Sequence, residues 1–198
     1  MSHLFDCTKC PRIVKNFEQL KLSHPDLINK PIAPKLNTNS FLCIVGLAPG
    51  LLGANRTGKI FDGDFSGDIL KSALETTKYF QDDINTYPHI TNAIKCLPPF
   101  NKPIASEINN CNVYLKHELN SISNLRVIIA LGSIAHRSVL KVYEKNQVKY
   151  QFAHGAIHKI NNNIILIDSY HCSKININTK RLSISMLEDI LELAKLYQ

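Results

Sequence analysis

Four short aliphatic runs, separated by stretches of helical length and pattern, constrain the fold of this chain more than any other feature. They lie at 41–46, 87–93, 126–131 and 164–168. Each is too short for a helix and nearly continuous in apolar residues, the pattern of a strand buried on both faces. Between the first two, a helix opens at Ser66 or Gly67 and runs to about Tyr79. It carries Ile69, Leu70, Ala73 and Leu74 on one face and Asp68 near the positive end of its dipole. Further helices are predicted over 8–20, over 105–121 with Ser106 as a cap, from Gly132 to about Tyr143, and over 182–197. Strands alternating with helices predict an α/β fold, a three-layer α/β/α sandwich around a central four-stranded parallel sheet. The 198 residues suit one domain over 1–198, with an N-terminal segment ahead of the first strand. Loops at the carboxyl ends of parallel strands carry function. The segments after Gly46, after Ala93 and after Asp168 fall there.

The cysteines divide into two kinds. Cys7 and Cys10 form a C-x-x-C pair, and Cys96 and Cys111 form a second, wider pair, while Cys43 and Cys172 have no such spacing. Paired thiolates hold zinc or iron–sulfur clusters, and the second pair is too widely spaced for a simple zinc ribbon. Cys43 sits in an apolar run and reads as a small core residue. The N-terminus lacks a basic, then apolar, leader, which points away from export and towards thiols or metal ligands rather than disulfides. No segment reaches the ~20 apolar residues of a membrane span. Localisation is expected to be cytoplasmic. Net charge is +7, which favours an anionic partner.

Six of the eight glycines fall at 46, 50, 53, 58, 63 and 67. Such a run lets backbone amides approach a ligand closely. It is not a P-loop, because Ile60 stands where Gly58–Lys59 would need Ser or Thr next. The segment after the fourth run, Ser169 to Arg181, places His171 just past a strand end. Cysteine pairs around a glycine-rich loop on a basic chain point to a nucleic-acid enzyme with a structural metal centre.

Three blocks carry a resemblance. GLAPGLLGANRTGKIFDGD at 46–64, NAIKCLPPFNKP at 92–103 and HCSKININTKRL at 171–182 match, in order, blocks close to GLAPxxxGxNRTGRxFTGD, NAVKCLPPxNKP and HPSxxNTxTGRL. These are the blocks of family 5 uracil-DNA glycosylases, and the chain resembles that family over nearly its whole length. Cys172 replaces the proline of the last block and Lys180 replaces its glycine.

The resemblance implies a monofunctional DNA repair glycosylase that flips uracil, and hypoxanthine in addition, out of DNA and hydrolyses the N-glycosidic bond. It implies His171 as the donor that stabilises the leaving base, with Asn55 first and Asp64 second as residues positioning water. Gly46, Ala48, Gly50, Phe61 and Asn92 are then expected around the base. Arg56, Lys59, Ser173, Lys174 and Arg181 are expected on DNA. Cys7, Cys10, Cys96 and Cys111 are expected to hold a structural 4Fe–4S cluster. The partners implied are double- and single-stranded DNA containing deaminated bases, met by a monomer at the nucleoid of a prokaryote. A different reading, a non-catalytic iron–sulfur protein that binds nucleic acid or carries electrons, would make the cluster the functional centre.

Overall fold

The computed structural model describes residues 4–79 and 87–198. The four aliphatic runs form strands β1 (Leu42–Gly46), β2 (His89–Asn92), β3 (Val127–Leu131) and, fourth of the runs, β5 (Ile165–Ser169). A fifth strand, β4 (Ile157–Lys159), completes a sheet of order β2-β1-β3-β5-β4. The first four pair in parallel, and β4 runs antiparallel to β5. The expected four-stranded parallel sheet is therefore corrected to five strands with one antiparallel edge. Strand β4 is three residues long and half-exposed, so it has no aliphatic run by which to be read. Its return to β5 is a tight turn in which Asn161 Oδ1 accepts from the amides of Asn163 and Ile164 at 2.8 and 2.9 Å.

The helices are α1 (Pro11–Ser23), α2 (Ala54–Thr57), α3 (Phe65–Thr76), α4 (Ala105–Ser121), α5 (Ser133–Val142), α6 (Lys174–Asn178) and α7 (Ile184–Lys195). Alternation along the strands sorts the core into two layers. Leu42, Ile44, Val127, Ile129 and Ile167 pack with Leu70, Leu74, Leu187 and Leu191 of α3 and α7. Cys43, Val45, Ile128, Ala130 and Leu166 pack on the opposite face with Leu115, Leu119, Val139 and Leu140 of α4 and α5. Helix α4 does not use Ser106 as its cap. Ile104 stands at that position, and Glu107 accepts the Ile104 amide at 2.9 Å. Among the described residues no helix is long and apolar enough to cross a membrane.

Candidate active site and cysteine centre

The parallel strands end together, and their carboxyl ends assemble one recess. Gly46 ends β1, Asn92 ends β2, Gly132 follows β3, and His171 lies two residues past β5. A Cβ built on Gly46 would fall 2.6 Å from Phe61 Cζ and would also strike Asn92 Oδ1. Only a glycine lets these two side chains close over the strand end. Phe61 holds φ +49°, an uncommon backbone for so bulky a residue. Its ring lies 6.3 Å from that of His171 at 28°. A Cβ on Gly132 would stand 3.6 Å from His171 Cβ. Gly46, Phe61, Asn92 and His171, expected together from sequence, are thus brought together.

Asp64 stands beside this recess and does two things. Its Oδ1 caps α3, accepting the Gly67 amide at 2.9 Å. Its other oxygen faces the glycine-rich loop, 3.1 Å from where a Gly50 Cβ would lie, and a Gly53 Cβ would sit 2.6 Å from Asp64 Cγ. Burial lowers the His171 pKa below the ordinary imidazole value, against a smaller opposing pull from Asp64. His171 is therefore neutral near pH 7.

Asn55 is not arranged as its expected role requires. It is fully buried, its Oδ1 accepts the Asn29 amide at 3.0 Å, and its Nδ2 donates to Asn29 Oδ1 at 2.9 Å. The Ile28 amide donates to the Asn55 carbonyl at 2.8 Å. Asn55 is engaged at both ends of its amide and braces the glycine-rich loop against residues 28 and 29. Ala48 packs, with Leu47 and Leu51, against the cluster of Ile13, Phe17, Ile94, Leu97 and Cys111 rather than towards His171.

Of the residues expected on DNA, Arg56 and Lys59 lie in the glycine-rich loop, and Ser173, Lys174 and Arg181 lie in the segment after His171. Exposed Arg56 donates to the carbonyls of Leu52 at 2.8 Å and Gly63 at 3.0 Å, and Lys59 is exposed. Ser173 caps α6, Lys174 begins it, and Asn176 Nδ2 donates to the His171 carbonyl at 2.7 Å. Arg181 lies over the Tyr170 ring at 4.4 Å, and that ring also stacks on His154 at 5.1 Å. The sequence reading gave no role to Tyr170, His154 or Ile175. The last is an aliphatic residue 74% exposed on α6, and its only sequence signal is an apolar residue amid polar ones. Buried Cys172 donates to the Ser66 carbonyl at 3.4 Å, and Lys180 holds φ +57°.

The two cysteine pairs meet at the other end of the loop. Cys7, Cys10, Cys96 and Cys111 line one small cavity with Leu4, Ile13, Phe17 and Tyr114. Cross-links between α1 and α4 bring them together. Arg12 grips buried Glu107 through two bonds of 2.8 and 2.7 Å, and Asn110 donates to the Lys9 carbonyl at 2.8 Å. Two N–H groups also point at sulfur, Lys95 N to Cys111 at 3.2 Å and Asn110 Nδ2 to Cys10 at 3.8 Å. Burial pushes the Cys10 and Cys96 thiols up, and Cys111 to about 11. A hydrogen bond to Cys7, then burial, pushes Tyr114 up to about 12. Four thiolate donors, N–H groups on sulfur and an apolar surround form a donor set that fits iron–sulfur ligation.

The comparisons with known proteins agree with this geometry. The family model described as "Uracil DNA glycosylase superfamily" matches residues 33–195. The chain is 32% identical to the Type-5 uracil-DNA glycosylase of Pyrobaculum aerophilum, covering 98% of this chain and 90% of that protein. It is 32% identical to the Type-5 uracil-DNA glycosylase of Thermus thermophilus, over 96% and 92% of the two chains. The Mycobacterium leprae Type-5 enzyme is 33% identical over 96% of this chain and 90% of its own. With a matching family model and full-length relatives, and with the motif residues gathered around one recess, the chain belongs to the uracil-DNA glycosylase superfamily, in its type-5 family.

Proposed function

We propose that this protein excises uracil from DNA by hydrolysing the bond between base and deoxyribose, leaving an abasic site. The observation that carries this reading is the convergence of Phe61, Asn92 and His171 around Gly46, with Asp64 alongside. A base inside a duplex cannot reach such a recess, so it must be flipped out. Phe61 then offers a face for stacking, and the Asn92 amide offers a donor and an acceptor to a uracil edge. As the bond to C1′ breaks, the base takes up the electron pair and the sugar becomes an oxocarbenium ion. Neutral His171 donates a hydrogen bond to the base oxygen where negative charge gathers. Asp64 holds the water whose oxygen adds to C1′. The water's proton passes, through solvent, to the departing base. Hypoxanthine is the second base in this reading, on the resemblance carried by the glycine-rich block.

Arg56, Lys59, Lys174 and Arg181 meet phosphates, and exposed Ile175 is an apolar wedge for the space the base leaves. Both double- and single-stranded DNA are taken, by a monomer. Cys7, Cys10, Cys96 and Cys111 hold a 4Fe–4S cluster, which supplies structural bracing when bound. Incubation with uracil-containing duplex DNA followed by alkaline scission tests the reading. Cleavage at the uracil position supports it. Binding without cleavage, by protein that carries its full iron content, would replace it with that of a nucleic-acid-binding iron–sulfur protein.

A further inference from the structure

On the far side of β5 from the glycine-rich loop, three side chains from three elements enclose a second polar centre. His136 of α5, His158 of β4 and Asp168 of β5 have ligand atoms all within 4.8 Å of one another. His136 Nδ1 lies 2.7 Å from Asp168 Oδ1, and His158 Nε2 lies 3.0 Å from Asp168 Oδ2. His136 is 2% exposed, Asp168 is fully buried, and His158 is 12% exposed. None of the three takes part in the excision chemistry above.

The hydrogen-bond geometry requires a proton or a metal ion between His136 and Asp168. His136 Nε2 lies 2.8 Å from the Tyr150 carbonyl. A carbonyl only accepts, so this nitrogen carries the hydrogen. In a neutral ring the hydrogen on Nε2 leaves a bare lone pair on Nδ1, and that lone pair faces a carboxylate oxygen at 2.7 Å. Two lone pairs at that distance repel unless a proton or a metal ion lies between them.

Three features favour the metal. Two imidazoles and one carboxylate form a mixed nitrogen–oxygen set suited to a divalent transition metal. The outward nitrogen of His136 is tied to a backbone carbonyl, the support that metal-bound histidines take from their surroundings. The walls are aromatic: Phe152 meets His136 at 5.7 Å and Tyr150 meets His158 at 5.7 Å, while part-exposed His158 leaves an entry path. We infer that His136, His158 and Asp168 form a binding site for one divalent transition-metal ion, zinc being the type case. It would tie the edge strand β4 and helix α5 to β5. This site is separate from the cysteine centre and does not depend on the excision reading.

The test uses full-length protein purified anaerobically with its iron, stripped of loosely held metal by a chelator and then dialysed against zinc. Elemental analysis should find one zinc per chain beyond the iron, and His158→Ala and His136→Ala should lose it while iron content stays unchanged. Cobalt(II) added to the same protein should give d–d absorption with no added thiolate charge transfer, weakened at least ~10²-fold in affinity by His158→Ala. If His136→Ala fails to fold, the part-exposed His158→Gln and His158→Ala pair decides alone. No zinc beyond the iron, with NMR showing a proton between His136 and Asp168, would overturn the proposal. Zinc retained in the His158 variants would overturn it as well.

Discussion

At the scale of single residues, the proposed mechanism turns on His171. His171→Ala should slow single-turnover excision by on the order of 10²-fold or more, the usual loss for one donor to a developing anion, while affinity for abasic product changes much less. Because burial lowers the pKa of His171, the ring is neutral above about pH 6.5. Excision by the wild-type protein should therefore hold level as pH rises from about 6.5 to 8. A decline across that window would mean that the charged imidazolium is the donor. Asn55 and Asp64 should separate cleanly. Asn55→Ala leaves Asn29 polar groups buried without partners and should lower stability by about 1–3 kcal/mol, read by denaturant unfolding. Asp64→Asn should instead reduce the excision rate while keeping much of the cap on Gly67. A rate loss from Asn55→Ala equal to that from Asp64→Asn, without a change in stability, would return the water to Asn55. Lys180 supplies a third case. It stands at φ +57°, where the family block has glycine. Lys180→Gly should raise stability by up to about 1 kcal/mol by relieving that backbone, measured as a shift in the unfolding midpoint.

At the scale of elements, the cysteine centre joins pieces that are distant in sequence. Helix α1 follows Cys10, α4 carries Cys111, and Cys96 follows β2. Arg12–Glu107 and Asn110–Lys9 hold them before any metal is considered. Cys96→Ser should lose the iron and loosen α1 and the start of α4, seen as faster amide exchange there. The sheet should stay protected, because its two cores do not involve the centre. Cys43→Ser and Cys172→Ser should keep the iron, since Cys43 lies inside β1 and Cys172 donates to Ser66. Iron lost equally from all three variants would refute the assignment of ligands. Among the elements, the five longer helices and the four aliphatic strands follow from apolar pattern, whereas the short helices α2 and α6 lie in stretches that read as loops. Strand β4 does not follow from pattern either, because its three residues gain their place from pairing with β5. Helix α3 starts at Phe65, ahead of the Ser66 or Gly67 that the pattern predicts, for a similar reason. Asp64 caps it through a bond to Gly67, and a loop aspartate gives no sign of this until the chain turns.

At the scale of the whole molecule, the excess of positive charge should govern encounter with DNA. If Arg56, Lys59, Lys174 and Arg181 meet phosphates as proposed, a plot of log affinity against log salt should fall with a slope of about −3 to −4, near −0.9 per phosphate neutralised. Replacing any one of the four by Gln should reduce that slope by about 1. A slope unchanged by all four replacements would remove them from the interface.

The amino-acid sequence determined a good deal by itself. Apolar runs of strand length, spaced by helical stretches, can bury their surface only as a sheet covered on both faces, so the layered fold is written in local pattern. The glycine-rich loop, the cysteine pairs and the place of His171 just past a strand end could be read from residue type and spacing, while the role proposed for His171 comes with the family resemblance. Tertiary structure alone decided what each polar group is used for. Asn55 and Asp64 are near neighbours in one block, yet one amide is consumed by Asn29 from a distant turn and the other side chain caps a helix beside His171. His136, His158 and Asp168 share no motif, and only the antiparallel return of β4 against β5 sets them around one point. Hydrogen-bond partners are chosen by distance in space, and separation along the chain does not encode that distance.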